Sequence, residues 1–239
     1  MKKTPMTRRT WSRAALHCSL WAVTLLAPRL SGAAPPAQTD KTDKQAETKA
    51  GTKAAAKILV VGDSLSAEYG LARGTGWVAL LAQRIQTQHL PYEVINASIS
   101  GDTTSGGLAR LPALLAAHKP AVVIIELGGN DALRGLPLAS SRSNLAAMVH
   151  STRTSGAKVL LAGMQMPPNY GAAYGRDFTA MFTAVAKDEH AALLPFLLRG
   201  VADRPDALEW FQADRIHPLA KAHPTILDNV WPVLKPLLR

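Results

Sequence analysis

Five short apolar runs, each followed by apolar residues at helical spacing, constrain this 239-residue chain more than any other feature. The first run, Ile58-Leu59-Val60-Val61, is β-branched, fully apolar and ended by Gly62. Such a run reads as a strand buried on both faces, as in a parallel sheet. Trp77, Leu81 and Ile85 then recur with a helical period. Tyr92–Ser98 reads as a second strand, with Leu108, Leu111 and Leu115 as the core face of a second helix. Ala121–Leu127 is the strongest strand, and Leu145, Met148, Val149 and Thr152 follow as a third helix stripe. Ala157–Gly163 is the fourth strand, Phe178, Phe182 and Val185 the fourth stripe, and Ala191–Leu194 a short fifth strand. Ile226, Val230 and Leu234 mark a C-terminal helix that Pro232 is expected to kink or shorten. Alternation without internal repeats implies one α/β domain, a central parallel sheet with helices on both faces. In such sheets, sites form beyond the carboxyl ends of the strands.

The residues before the first strand have another character. Residues 2–13 carry Lys2, Lys3, Arg8, Arg9 and Arg13 and no acid; Ala14–Ala27 is apolar, and Ser31-Gly32-Ala33-Ala34-Pro35 is small. Basic, apolar and small in that order is the layout of a secretory signal peptide. The apolar part is shorter than the ~20 residues of a bilayer-spanning helix. We therefore expect cleavage near Ala33 or Ala34, an exported (periplasmic or secreted) protein, and no membrane span afterwards; the alternative is an uncleaved anchor. The paired Arg8-Arg9 and the lone Cys18 are given no further weight as export signals. Residues 34–57 contain no large apolar or aromatic side chain, so they cannot offset their ordering entropy and read as a hydrophilic linker. The expected organisation is leader 1–33, linker 34–57 and folded domain 58–239.

Charge and cysteine content exclude several classes. The formal charge of +10 includes six Lys/Arg of the leader, and five Lys against three acids in the linker, so the domain itself is near +2. No nucleic-acid footprint remains. Cys18 is the only cysteine and lies in the leader, so the domain has no disulfide, thiol nucleophile or Cys-ligated zinc.

Chemistry-bearing residues sit just after the apolar runs. Gly62-Asp63-Ser64-Leu65 follows strand one, near the expected start of a helix, where free backbone N–H groups favour negative charge. Alone, this tetrapeptide is as well read as a helix cap. Ser66 stands where a nucleophile elbow would have its second glycine. Near the other end, Asp214-Arg215-Ile216-His217-Pro218 precedes the last helix. Pro218 suits a first helical turn and keeps His217 extended outside it. His217 can then offer one ring nitrogen to a serine while Asp214 takes the N–H of the other. A solvated surface loop is the alternative, and His223 the only rival base; His89, His118, His150 and His190 lack comparable context. Gly101 follows strand two within Ser100-Gly101-Asp102-Thr103, and Asn130 follows strand three within Gly128-Gly129-Asn130-Asp131. Either is an ordinary turn residue, or a donor. The N–H groups of Ser64 and Gly101 with the Asn130 amide would form a three-donor oxyanion site, each donor worth roughly 10²–10³ in rate.

Gly-Asp-Ser-Leu, Ser-Gly-Asp-Thr, Gly-Gly-Asn-Asp and Asp-x-x-His-Pro, in this order, resemble the blocks of the SGNH/GDSL hydrolases. The resemblance spans Ile58 to about Leu237. It is closest to the bacterial periplasmic thioesterase/lysophospholipase/arylesterase group, through Asn96–Thr103, Gly107–Leu115 and Glu126–Gly135. It implies a three-layer α/β/α sandwich with a mostly five-stranded parallel, flavodoxin-like sheet. It implies Ser64 as nucleophile, His217 as base, Asp214 as its partner, and Ser64, Gly101 and Asn130 as oxyanion donors. It implies acyl ester, thioester or lysophospholipid substrates, no metal or cofactor, and a monomer. Arg215 departs from the group, which often has glycine there, and could bias specificity. The substrate-binding candidates are Asp63, Leu65 and Asp131 near the donors, Pro168, Asn169 and Tyr170 after strand four, and Ile216 beside His217. Leu71, Leu108, Leu111, Met164, Met166, Pro167 and Phe178 are candidates to line an acyl groove. The competing functions are a carbohydrate O-acetyl esterase, for which stacking aromatics are few at 5% of the chain, and a non-catalytic envelope-binding module, which an intact triad argues against.

Overall fold

Main-chain pairing turns the apolar runs into one parallel sheet in the order β2-β1-β3-β4-β5. The computed structural model describes residues 55–238; the Pro168 side chain is also outside the description. The expected leader and the linker up to residue 54 thus lie outside the described residues. The strands are β1 (Ala56–Gly62), β2 (Tyr92–Asn96), β3 (Val122–Glu126), β4 (Lys158–Ala162) and β5 (Ala192–Leu194). β1 begins inside the expected linker: Ala56 and Lys57 pair with Tyr92 and Glu93. A sheet ladder is made by peptide groups, so these residues join it without a large apolar side chain to announce them.

The helices are α1 (Trp77–Thr87), α2 (Thr104–His118), the single-turn α3 (Gly129–Leu133), α4 (Leu138–Thr154), α5 (Ala172–Asp188) and α6 (His223–Leu234). α1 packs with α6, and α4 with both α2 and α5, which accounts for the two helical layers. β3 is buried along its whole length, and Ile58–Val61 of β1 is equally enclosed, as strands covered on both faces must be. In α2 the buried stripe is Thr104, Gly107 and Leu111, whereas Leu108 and Leu115 are only half-buried. A Cβ at Gly107 would come within 2.3 Å of Leu127 Cδ1, so glycine there lets α2 lie close over the Leu127 side chain that follows β3.

Two prolines behave differently from expectation. Pro218 starts no helix; it pairs with Phe211 in an isolated antiparallel bridge, and the proline of the first turn of α6 is Pro224. The bridge satisfies the backbone of the His217 loop from within. α6 passes through Pro232, where an i−4 hydrogen bond is lost, and ends two residues later at Leu234, giving way to a 3₁₀ turn over Lys235–Leu238. None of the described helices is long and apolar enough to cross a membrane.

The sheet order reverses direction at β1: β2 lies on one side and β3 on the other. That switch point opens a crevice beyond the carboxyl ends of β1 and β3, where ligands bind in such folds. Gly62 and Glu126, partners in the ladder, mark its floor.

Candidate active site

Ser64 is the second residue beyond β1. No helix follows directly: Asp63–Gly70 forms a series of turns, with Ala67 N–H donating to the Asp63 carbonyl at 2.9 Å, and α1 starts only at Trp77. Helix capping by Asp63 or Ser64 is therefore set aside. Asp63 instead folds back within the turn, its Oδ1 accepting from Leu65 N–H at 3.0 Å. This leaves the Ser64 N–H without an acceptor among the described residues.

The histidine arrives from 153 residues away. Its Nε2 lies 2.8 Å from Ser64 Oγ, and its Nδ1 lies 2.6 Å from Asp214 Oδ2. Asp214 Oδ1 also accepts from the N–H groups of Ile216 (2.9 Å) and His217 (3.0 Å), so the carboxylate ties the loop and the ring together. The remainder of the loop is equally constrained. Gln212 N–H donates to the His217 carbonyl at 2.7 Å, and the Gln212 amide donates to the Tyr69 carbonyl at 2.9 Å. The Tyr69 ring covers the imidazole, with centroids 4.3 Å apart. Partial burial pushes the Asp214 carboxyl up, but the bonds from Ile216 N–H and from the His217 ring and N–H outweigh it and bring it down to about 2. A carboxylate facing Nδ1 fixes the proton there and leaves Nε2 to accept from Ser64.

The rival His223 has a different place. It is buried, its Nδ1 accepts from Trp77 N–H at 3.0 Å at the start of α1, and burial lowers its pKa. It caps a helix with a neutral ring.

Gly101 and Asn130 hold two of the other expected donors. Gly101 has φ +79°, a left-handed conformation that favours glycine, and its N–H has no acceptor among the described residues. The Arg134 guanidinium steadies this turn by donating to the Gly101 carbonyl at 2.8 Å. Asn130 sits in α3, which Gly128 introduces at φ +117°. The Asn130 Nδ2 donates one proton to Asp63 Oδ2 at 3.0 Å, leaving its second N–H for a ligand.

Several expected substrate contacts are corrected by burial. Asp63 and Asp131 are each 2% exposed. Asp131 accepts from Thr104 N–H (2.9 Å) and from the hydroxyls of Thr104 and Ser141, so it braces α2 and α4 against α3 and has no face for substrate. Asp63 faces Asn130 and the turn, not the solvent. Leu65 is buried; Leu111 and Phe178 are core residues at 0% exposure. Pro168–Tyr170 form a short 3₁₀ turn after β4, with Asn169 and Tyr170 exposed, and Ile216 is exposed beside His217. Tyr69, Ile99, Leu133 and Leu136, which the sequence reading did not single out, are also exposed apolar side chains. All of these lie in segments that follow strands, on the Ser64 side of the sheet. A groove of about 650 Å³ between α4 and α5, lined by Leu138, Arg142, Met181 and Asp188, contains none of the site residues.

Other residues missed in sequence serve the scaffold. Asn96 donates to the Ser66 carbonyl at 2.8 Å, and Arg110 donates to Asp102 Oδ2 (2.8 Å) and to the Ala97 carbonyl. Glu126, wholly buried at the end of β3, accepts from Asp63 N–H (3.3 Å) and from the Ser66 hydroxyl (2.7 Å). Only the proximity of these residues to the four motifs hinted at them.

A serine hydrogen-bonded to a histidine that a carboxylate orients is the constellation of a serine acyl hydrolase. The family model described as GDSL-like lipase/acylhydrolase matches residues 60–224, and the chain belongs to that family. It is a carboxylic ester hydrolase, as are its relatives. Esterase TesA of Pseudomonas aeruginosa is 56% identical over 77% of this chain and 90% of its own length. Thioesterase 1/protease 1/lysophospholipase L1 of Escherichia coli is 42% identical over 77% of this chain and 86% of its own. Among solved structures, esterase EstA from Pseudoalteromonas, inhibited by monoethylphosphonate, superposes with a TM-score of 0.71. It has 41% identity and covers 76% of this chain and 98% of that one.

Proposed function

We propose that this protein hydrolyses acyl esters and thioesters through an acyl-enzyme on Ser64. The observation that carries the reading is the relay from Ser64 Oγ through His217 to Asp214, at 2.8 and 2.6 Å. His217 Nε2 takes the hydroxyl proton as Ser64 Oγ attacks the carbonyl carbon. The oxyanion so formed is met by the N–H groups of Ser64 and Gly101 and by the Asn130 amide. The imidazolium, stabilised by Asp214, returns its proton to the departing alcohol or thiol. Water then attacks the acyl-enzyme with the same histidine as base, and the acid leaves.

The exposed apolar side chains Tyr69, Ile99, Leu133, Leu136, Tyr170 and Ile216, in the segments that follow the strands, support acyl chains rather than acetyl groups on sugars as the substrate side. The relatives named for thioester and lysophospholipid hydrolysis support the same class. The order of basic, apolar and small residues over 1–33 supports export, with residues 34–54 as linker before the domain.

A fluorophosphonate probe tests the nucleophile. Labelling of the wild type at Ser64, absent in Ser64→Ala, is expected; full esterase activity in Ser64→Ala would overturn the reading. N-terminal sequencing of the exported protein tests the processing, with a new terminus near Ala33 or Ala34 expected.

A further inference from the structure

Beneath Ser64 lies a second carboxyl that the catalytic steps above do not use. Glu126 ends β3 directly beside Gly62 of β1 and has no exposed surface. One oxygen, Oε2, receives both the Asp63 N–H and the Ser66 hydroxyl, which flank the nucleophile on either side. The other, Oε1, is buried and has no partner among the described residues. The structure has made room for this group at a cost in sequence freedom. A Cβ at Gly62 would lie 2.8 Å from both Glu126 Oε2 and Ser66 Oγ, so the glycine that opens the Gly-Asp-Ser-Leu turn leaves the room these two side chains occupy. A buried acid with only two donors and an idle oxygen is a poor way to fill a core. Its return has to lie in what it holds.

We propose that Glu126 is a positioning residue for catalysis: it clamps the Asp63 peptide and the Ser66 hydroxyl from below, and thereby sets both the Ser64 turn and, through Asp63, the Asn130 amide. The inference rests on the acyl-enzyme reading of Ser64. The chain of contacts is continuous. Glu126 holds the Asp63 backbone; the Asp63 carboxylate holds Leu65 N–H on one oxygen and Asn130 Nδ2 on the other. Asn130 can present its second N–H to an oxyanion only while the first is engaged in that orientation. Burial, reinforced by the charge of Asp63, pushes the Glu126 carboxyl well above its ordinary range.

The test compares Glu126→Ala and Glu126→Gln with the wild type in steady-state ester hydrolysis and in fluorophosphonate labelling rate, with thermal unfolding as the check on folding. Misplacing reacting groups by about 1 Å can cost on the order of 10²-fold. Glu126→Ala is expected to lose kcat on that order with KM within about twofold, and to label correspondingly slowly. Glu126→Gln, whose side-chain carbonyl can accept both bonds, is expected to recover most of kcat. Wild-type kcat in folded Glu126→Ala, or equal losses in both variants, would overturn the proposal. Should Glu126→Ala not accumulate folded, Ser66→Ala removes one arm of the clamp from a small side chain. A kcat loss of about tenfold at unchanged KM is expected, and an unchanged kcat overturns the clamp. Failure of the wild type itself to label at Ser64 would instead strike the acyl-enzyme reading, so the two failures are distinguishable.

Discussion

Two aspartates serve the same serine from opposite sides, and their surroundings give them opposite characters. Asp214 sits in an exposed loop with three N–H donors aimed at it, and its carboxyl falls to about 2. Asp63 is buried in the turn beneath Ser64, and burial raises its carboxyl to about 6. The Leu65 N–H, the Asn130 amide and the nearby His217 pull against that rise, and Asp102 adds to it. Donors outweigh desolvation in one case and lose to it in the other. The consequence is a division of labour. Asp214, its carboxyl low, can stabilise an imidazolium, whereas Asp63, its carboxyl raised to about 6, holds an amide in place.

The comparison can be broken most forcefully at the exposed side. Asp214→Asn preserves shape but allows the wrong imidazole tautomer, and kcat is expected to fall about 10⁴-fold, measured with a chromogenic ester. A loss under tenfold would mean that Asp214 does not orient His217. Next comes the shared donor. Asn130→Ala is expected to cost about 10²–10³ in kcat with little change in KM, since the lost hydrogen bond matters chiefly once charge develops on the ester oxygen. Asp63→Asn should cost less, on the order of tenfold, because the donor remains and only its anchor is weakened. A loss as large as that of Asp214→Asn would erase the distinction between the two aspartates.

The smallest effect concerns stability. Asp63 has a folded-state pKa above its unfolded value, so ionising it costs folding free energy. The cost is absent below about 4, grows as pH rises towards 6, and is complete above that. The difference in Tm between Asp63→Asn and wild type should therefore shift in favour of the variant as pH goes from 4 to 7. A pH-independent difference would place Asp63 among ordinary solvated acids.

The residues of the proposed catalytic steps stand out in the sequence because their signals are local. Ser64, Gly101 and Asn130 each follow an apolar run, and Asp214 and His217 are three residues apart. The residues that hold them do not. Asp63 and Asp131 read as substrate contacts because they adjoin the donors, yet both point into the protein. Glu126 reads as the polar end of an apolar strand, and nothing near it in sequence names its partners, 60 and 63 residues away. Pro218 reads as a helix opener, and only its bridge to Phe211 explains how the His217 loop is held.

The chain by itself determined a parallel α/β sheet and the chemistry at its edge, because apolar period, glycine placement and the spacing of Asp214 and His217 are properties of neighbouring residues. Tertiary structure decided which carboxyl is exposed, which is buried and which holds the Asn130 amide. Placing β1 next to β3 removes water from Asp63 and Glu126 together, and desolvation depends on what the fold brings alongside a group, not on what precedes it in the chain.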